Sequence, residues 1–192
     1  MRCFAAIDID ETIQTALADL QKNLRADAHL EKGEATWVKP NLMHLTIKFL
    51  GEIDDEQAPQ ICQIVEEIAG RHKTFTVEVA NVGAFGKPAK VLWVGIGENS
   101  RELMALQKDM EEAFTQAGWS KEDREFSGHL TLCRIKSFKA AKKLTQTAGQ
   151  YAGVPLGSQK IDAMCVYKSQ LTPEGPVYTL LQKSELRTRN SE

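Results

Sequence analysis

His44-Leu45-Thr46-Ile47 and His129-Leu130-Thr131-Leu132 write the same tetrapeptide pattern twice, and they hold two of the chain's four histidines. On a β-strand residues i and i+2 share a face. Each copy therefore offers an imidazole beside a hydroxyl, while its two apolar residues turn toward a core. Two such strands facing each other would surround one small anion with two imidazoles and two hydroxyls. Imidazole exchanges a proton near neutral pH, its unperturbed pKa being about 6.5. A neutral ring takes a proton from water while a protonated partner gives one to a leaving oxygen. Threonine hydroxyls donate to non-bridging phosphate oxygens and hold the phosphorus in line. That is the chemistry of opening a cyclic phosphodiester without a metal.

One His-apolar-Thr-apolar strand is an ordinary half-buried strand; the repetition is what points to chemistry. His29 and His72 lack the pattern, flank predicted helix ends, and are expected to be solvated or capping residues. Asp8 and Asp10 are spaced like a metal pair, but no third carboxylate or histidine follows at useful spacing, so Asp10 is read as a helix cap. Zinc hydrolysis through the two histidines lacks a third ligand for the same reason. No metal and no cofactor are expected.

The elements that must position the motifs follow from periodicity. Phe4–Ile9 reads as a buried strand. Ile13, Leu17, Leu20 and Leu24 then recur at helical spacing, and Ala35–Val38 forms a short strand before the turn Lys39-Pro40-Asn41. His44–Leu50 is a β-branched strand ended by Gly51, followed by a helix marked by Ile61, Ile64, Val65 and Ile68. Thr74–Val82 alternates as a strand and Gly83 to Pro88 is a loop. Val91–Ile96 is a strand, and Leu103, Leu106, Met110 and Phe114 define a third helix. Phe126–Ile135 is a strand carrying His129. Phe138–Gln146 is a basic helix, and Ile161–Val166 and Val177–Gln182 close the fold. Strand, long helix and motif strand thus occur twice, with Phe4 and Leu92 at corresponding places. The expected fold is α+β in one bilobal domain spanning 1–192. Each lobe is an antiparallel sheet with helices on its outer face, and a central cleft carries both His-x-Thr-x motifs.

Composition sets the frame. The 192 residues are 42% hydrophobic and 26% charged, which is globular, and 24 basic against 26 acidic residues leave a net charge of −2. No global positive field draws in long nucleic acid, but a partner with one phosphate needs only a local cluster of donors. Cys3, Cys62, Cys133 and Cys165 form no Cys-x-x-Cys pair and are read as reduced thiols. The N-terminal stretch turns acidic too soon for a secretory signal, and no apolar run reaches the length of a membrane span. A cytoplasmic monomer is expected.

The chain resembles the two-histidine phosphoesterase superfamily, specifically its RNA 2′,3′-cyclic phosphodiesterase branch, historically called 2′-5′ RNA ligases. The likeness runs through Phe4-Ala5, Trp37-Val38, Leu42 to Gly51 around the first motif, Leu92-Trp93-Val94, Phe126, and His129 to Arg134. It continues in Ser169-Gln170-Leu171 and Gly175-Pro176-Val177-Tyr178. One departure is Gly128, where the family usually has proline. The resemblance implies metal-free hydrolysis of an RNA 2′,3′-cyclic phosphate, or of a small cyclic nucleotide, to a 2′-phosphomonoester. It assigns the proton donor to His44, the proton acceptor to His129, and phosphate binding to Thr46, Thr131 and Arg134. On a regular strand Arg134, five residues past His129, would face the opposite way, so a bulge or the strand end has to bring it round. Lys48 shares parity with His44 and adds positive potential or is simply solvated. Lys136, Lys139, Lys142 and Lys143 read as an exposed helix face. Trp37 and Phe85 are candidates for base stacking or for core. The competing functions are 2′-5′ ligation as a minor reverse activity, a module that binds RNA ends without catalysis, and hydrolysis of another small cyclic phosphate.

Overall fold

A computed structural model describes residues 1–98, 100–173 and 175–188. The strands are β1 (Arg2–Asp8), β2 (Ala35–Trp37), β3 (His44–Glu52), β4 (Phe75–Phe85), β5 (Val91–Ile96), β6 (His129–Ile135), β7 (Pro155–Ile161), β8 (Ala163–Thr172) and β9 (Gly175–Glu185). The helices are α1 (Glu11–Asp27), α2 (Ala58–Ala69), α3 (Arg101–Gln116) and α4 (Phe138–Ala148). Local sequence explains where the helices begin. The Asp10 carboxylate accepts from the Ile13 amide at 2.8 Å, and Ser100 and Ser137 cap α3 and α4 in the same way. Ile13, Leu17 and Leu24 of α1 and Leu103, Leu106, Met110 and Phe114 of α3 are fully buried, as their spacing requires.

Two antiparallel sheets result, ordered β3-β1-β8-β9 and β2-β6-β5-β4-β7. Apart from β2 they correspond strand for strand: β3 with β6, β1 with β5, β8 with β4, β9 with β7. Neither sheet comes from one half of the chain, because β4 joins the second sheet while β8 and β9 return to the first. The helices exchange as well. α1 follows β1 yet packs on β7 of the other sheet, and α3 follows β5 yet packs on β3. The sheets meet where β3 and β6 approach each other, so the two motif strands lie at the junction.

Register refines the sequence reading. Asp8 is opposite His44, and Gly95 is opposite His129, so Phe4 corresponds to Val91 rather than to Leu92. Both motif strands carry a bulge at the same place. Lys48 faces Ala5 and Thr46 faces Ala6, leaving Ile47 as the extra residue. Cys133 faces Leu92 and Thr131 faces Trp93, leaving Leu132. In each strand the bulged residue and its successor are both buried, and the alternation of faces reverses beyond them. β7 has no counterpart in the sequence reading: its run Pro-Leu-Gly-Ser-Gln-Lys-Ile lacks an apolar alternation and becomes a strand only by pairing with β4.

All four cysteines are free. Burial pushes the Cys133 thiol up to about 11 and the Cys165 thiol up to about 12, so neither is a nucleophile at neutral pH. Among the described residues no helix is long and apolar enough to cross a membrane.

Candidate active site

His44 and His129 open β3 and β6, and each is fixed in the same way. His44 Nδ1 lies 3.1 Å from the Leu42 carbonyl and His129 Nδ1 lies 2.8 Å from the Ser127 carbonyl. A carbonyl only accepts, so both Nδ1 atoms carry the proton and donate. Each Nε2 is then a lone-pair base when the ring is neutral and a donor when it is charged. Aromatic rings hold the imidazoles from the side. Phe4 stacks on His44 with centroids 4.6 Å apart, and Tyr178 meets it edge-on at 5.1 Å. Phe85 meets His129 edge-on at 4.9 Å, with Trp93 beyond at 6.5 Å.

Thr46 and Thr131 are half-buried on the same faces as their histidines, and neither hydroxyl is engaged with a partner among the described residues. Arg134 reaches that face because the bulge at Leu132 reverses the strand's parity. Its guanidinium acts across the sheet junction on Tyr178. Burial raises the Tyr178 hydroxyl pKa, and Arg134 pulls it back down. Since Tyr178 also touches His44, Arg134 of the second sheet is brought toward the histidine of the first.

The electrostatics of His44 are set by its surroundings. Burial lowers its pKa below the ordinary histidine range, opposed by the bond to Leu42 and by the Asp8 carboxylate. Asp8, across the register from His44, is itself held in place. The Tyr167 hydroxyl donates to its two oxygens at 2.8 and 3.0 Å, and Cys165 Sγ lies at 3.4 Å. Tyr167 in turn stacks on Phe4 at 5.6 Å. Among the described residues no cluster of three or more His, Cys, Asp or Glu is arranged to hold a metal ion.

Other expected residues fall elsewhere. Lys48 does not face the cleft. The bulge turns it into the interior, where its ammonium donates to Glu111 Oε1 at 2.8 Å and to the Ser120 carbonyl at 2.7 Å. Trp37 is covered by the Arg25 guanidinium, 4.6 Å above its ring, while Phe85 packs against His129. His72 is not a solvated residue: its Nε2 pairs with Asp109 at 2.9 Å and its side chain is only 15% exposed. Lys139 and Lys143 of α4 pair with Glu31 and Glu34. At Gly128, just before β6, an added Cβ would collide with the Ile96 carbonyl oxygen of β5. Phe4, Tyr167, Tyr178 and Trp93 were not assigned to the site from sequence, although all lie on strands whose parity, once the register is known, points them at the histidines.

Comparison with known proteins agrees with this fold and its internal repeat. A family model described as LigT-like phosphoesterase matches residues 7–93 and again 94–178, one copy for each repeat. A Methanocaldococcus jannaschii protein named RNA 2′,3′-cyclic phosphodiesterase is 33% identical over 185 residues, covering 95% of this chain and 99% of its own. A Methanothermobacter thermautotrophicus protein of the same name is 30% identical over 182 residues, covering 93% and 95%. Among solved structures, TT0787 of Thermus thermophilus superposes with a TM-score of 0.81 at 24% identity, over 98% of this chain and all of that one. LigT of E. coli complexed with 3′-AMP superposes with a TM-score of 0.73 at 23% identity, over 96% and 97%.

Proposed function

The chain belongs to the LigT-like phosphoesterase family, and from that premise we propose that it hydrolyses RNA 2′,3′-cyclic phosphodiester ends to 2′-phosphomonoesters without a metal. The observation that carries the reading is the matched pair of imidazoles, each with Nδ1 tied to the carbonyl two residues before it and Nε2 left for chemistry. His129 Nε2 takes a proton from water as the oxygen attacks phosphorus. The P–O3′ bond breaks, His44 Nε2 gives its proton to the departing 3′ oxygen, and the phosphate stays on O2′. Thr46 and Thr131 donate to the non-bridging oxygens, and Arg134 neutralises the charge that builds on them.

His44 is neutral more often than an ordinary histidine in the free protein, because burial lowers its pKa. A phosphate anion entering the cleft favours the imidazolium, so the acid forms as the substrate binds. The substrate is an RNA end or a small cyclic nucleotide, in keeping with a net charge of −2 that offers no general attraction to polyanions. With the 5′-hydroxyl of a second RNA in place of water, the same groups open the cyclic phosphate into a 2′-5′ linkage as the P–O3′ bond breaks, a minor activity because water is in molar excess. The chain acts as a monomer, since both motif strands and the arginine come from one chain, and in the cytoplasm, where its thiols stay reduced.

The test is turnover of an oligoribonucleotide ending in a 2′,3′-cyclic phosphate, with and without chelator. Activity unchanged by thorough chelation and lowered about 10²–10⁴-fold in His44→Ala and in His129→Ala is expected. Full activity in both variants contradicts the assignment, and activity abolished by chelation contradicts metal independence.

A further inference from the structure

The pseudo-symmetry that pairs the two motifs fails at the residue opposite each histidine. Across from His44, on β1, stands Asp8; across from His129, on β5, stands Gly95. Directly opposed residues of an antiparallel pair share a face, with Cβ atoms about 4.5–5.5 Å apart. One imidazole therefore has a carboxylate for a neighbour and the other has bare backbone. The β4 strand enforces the difference. A Cβ on Gly95 would stand 2.9 Å from the Ala80 carbonyl oxygen, so a side chain opposite His129 would have to displace backbone.

Asp8 is exposed, yet its carboxylate is oriented. The Tyr167 hydroxyl is shared between its two oxygens at 2.8 and 3.0 Å, and Cys165 Sγ lies 3.4 Å away. Burial first, and then the carboxylate itself, raise the Tyr167 pKa, so the phenol keeps its proton and remains a donor. Phe4 stacks on both Tyr167 and His44, which ties the donor of the carboxylate to the imidazole it faces. The other ionisable groups around His44 supply no negative charge. Tyr178 of β9 meets the ring as a neutral phenol, and Arg134 and His129 of β6 are a cation and a second imidazole. Lys48 of β3 is turned inward to Glu111, and Lys183 of β9 is in register with the Cys165 thiol. Burial works against an imidazolium at His44, whereas the acid of the reaction has to be one. We propose that Asp8, oriented by Tyr167, is the positioning residue that makes His44 rather than His129 the proton donor of the pair. The inference rests on the cyclic phosphodiesterase reading and adds to it the residue that breaks the symmetry between the two imidazoles.

Asp8→Asn keeps the shape and the bond from Tyr167 and removes the charge. In an NMR titration of the free protein, the His44 midpoint is expected to be lower in this variant than in the unaltered protein, with the His129 midpoint unmoved. Asp8→Glu should recover part of the difference. On adenosine 2′,3′-cyclic phosphate, kcat/KM of Asp8→Asn should fall by a factor that grows with pH, because fewer free molecules carry the protonated His44 as pH rises. The loss should reach about 2- to 5-fold at pH 8, the worth of an exposed cross-strand charge pair. Tyr167→Phe keeps the stack on Phe4 but frees the carboxylate, and should show the same dependence on pH. A loss equal at every pH would mean a structural role and overturn the proposal. So would a His44 midpoint that ignores Asp8→Asn, or a His129 midpoint that moves as far. The titration reads the coupling without turnover. A shifted His44 in a protein that leaves the cyclic phosphate intact refutes the hydrolase reading and upholds the coupling; turnover with no shift refutes the role of Asp8 alone.

Discussion

A histidine whose Nδ1 is committed to a backbone carbonyl has one nitrogen left for chemistry, and both motif histidines are in that state. Burial disfavours the charged form of His44. An NMR titration of His44 in the free protein should therefore give a midpoint below the ordinary histidine value of about 6.5, rising when 2′-AMP or phosphate is bound. A midpoint that ignores the anion would contradict the placement of His44 at the phosphate. The same shift acts on stability. The folded pKa lies below the unfolded one, so protonation favours the unfolded chain. The contribution of His44 is complete above about pH 6.5 and is lost as pH falls from there. Denaturation curves of His44→Asn should accordingly fall less between pH 7.5 and 5 than those of the unaltered protein. At Arg134 the fork geometry matters as well as the charge, so Arg134→Lys should recover only part of the phosphate affinity that Arg134→Ala loses.

At the scale of elements, the bulges decide which side chains form the site. Ile47 and Leu132 are each the extra residue of a strand, and beyond each the alternation of faces is inverted. Nothing in the residue types marks them: both are apolar residues in apolar runs, and a bulge is created by the neighbouring strand's register. The sequence therefore made the paired motifs, the Asp10 cap and the existence of most strands and helices legible, because these depend on local pattern, while strand ends such as Phe126 and the Ser100 and Ser137 caps were not read. It misplaced Lys48, which strict alternation puts beside His44 and the bulge sends into the interior. β7 and the exchange of strands and helices between the sheets were out of reach as well, since they depend on partners distant in the chain. Gly128 gives an element-scale prediction. Any Cβ there runs into the Ile96 carbonyl of the adjacent strand, and backbone has little room to yield. Gly128→Ala should destabilise the protein by about 1–3 kcal/mol and lower turnover through the displaced His129, measured by chemical denaturation and initial rates. Unchanged stability and rate would show that β5 and β6 separate there freely.

In the whole molecule the site depends on the junction of two sheets, each completed by strands from the other half of the chain. A buried ion pair fastens α3 to the first sheet: Lys48 of β3 and Glu111 of α3, with side chains only 1% and 10% exposed. Removing one partner leaves an uncompensated buried charge, so Lys48→Met or Glu111→Leu alone should cost about 3–5 kcal/mol, whereas the double replacement should cost less than the sum of the two, the remainder coming from the Ser120 carbonyl and Glu122 amide that lose these partners. Urea denaturation of the three variants gives the cycle, and additive losses would show that the two groups do not act as a pair. The interlocked sheets also explain why the two repeats form one cleft: β3 and β6 are brought together by helices that pack on the opposite sheet. In the proposed function this cleft breaks one particular P–O bond with two imidazoles. The most direct test is phosphorus NMR of an oligoribonucleotide ending in a 2′,3′-cyclic phosphate, incubated with the protein and chelator. A 2′-monophosphate is predicted, with oxygen-18 from labelled water on its phosphorus. A 3′-monophosphate would reverse the leaving oxygen assigned to His44, and an unchanged cyclic phosphate would refute the hydrolase assignment.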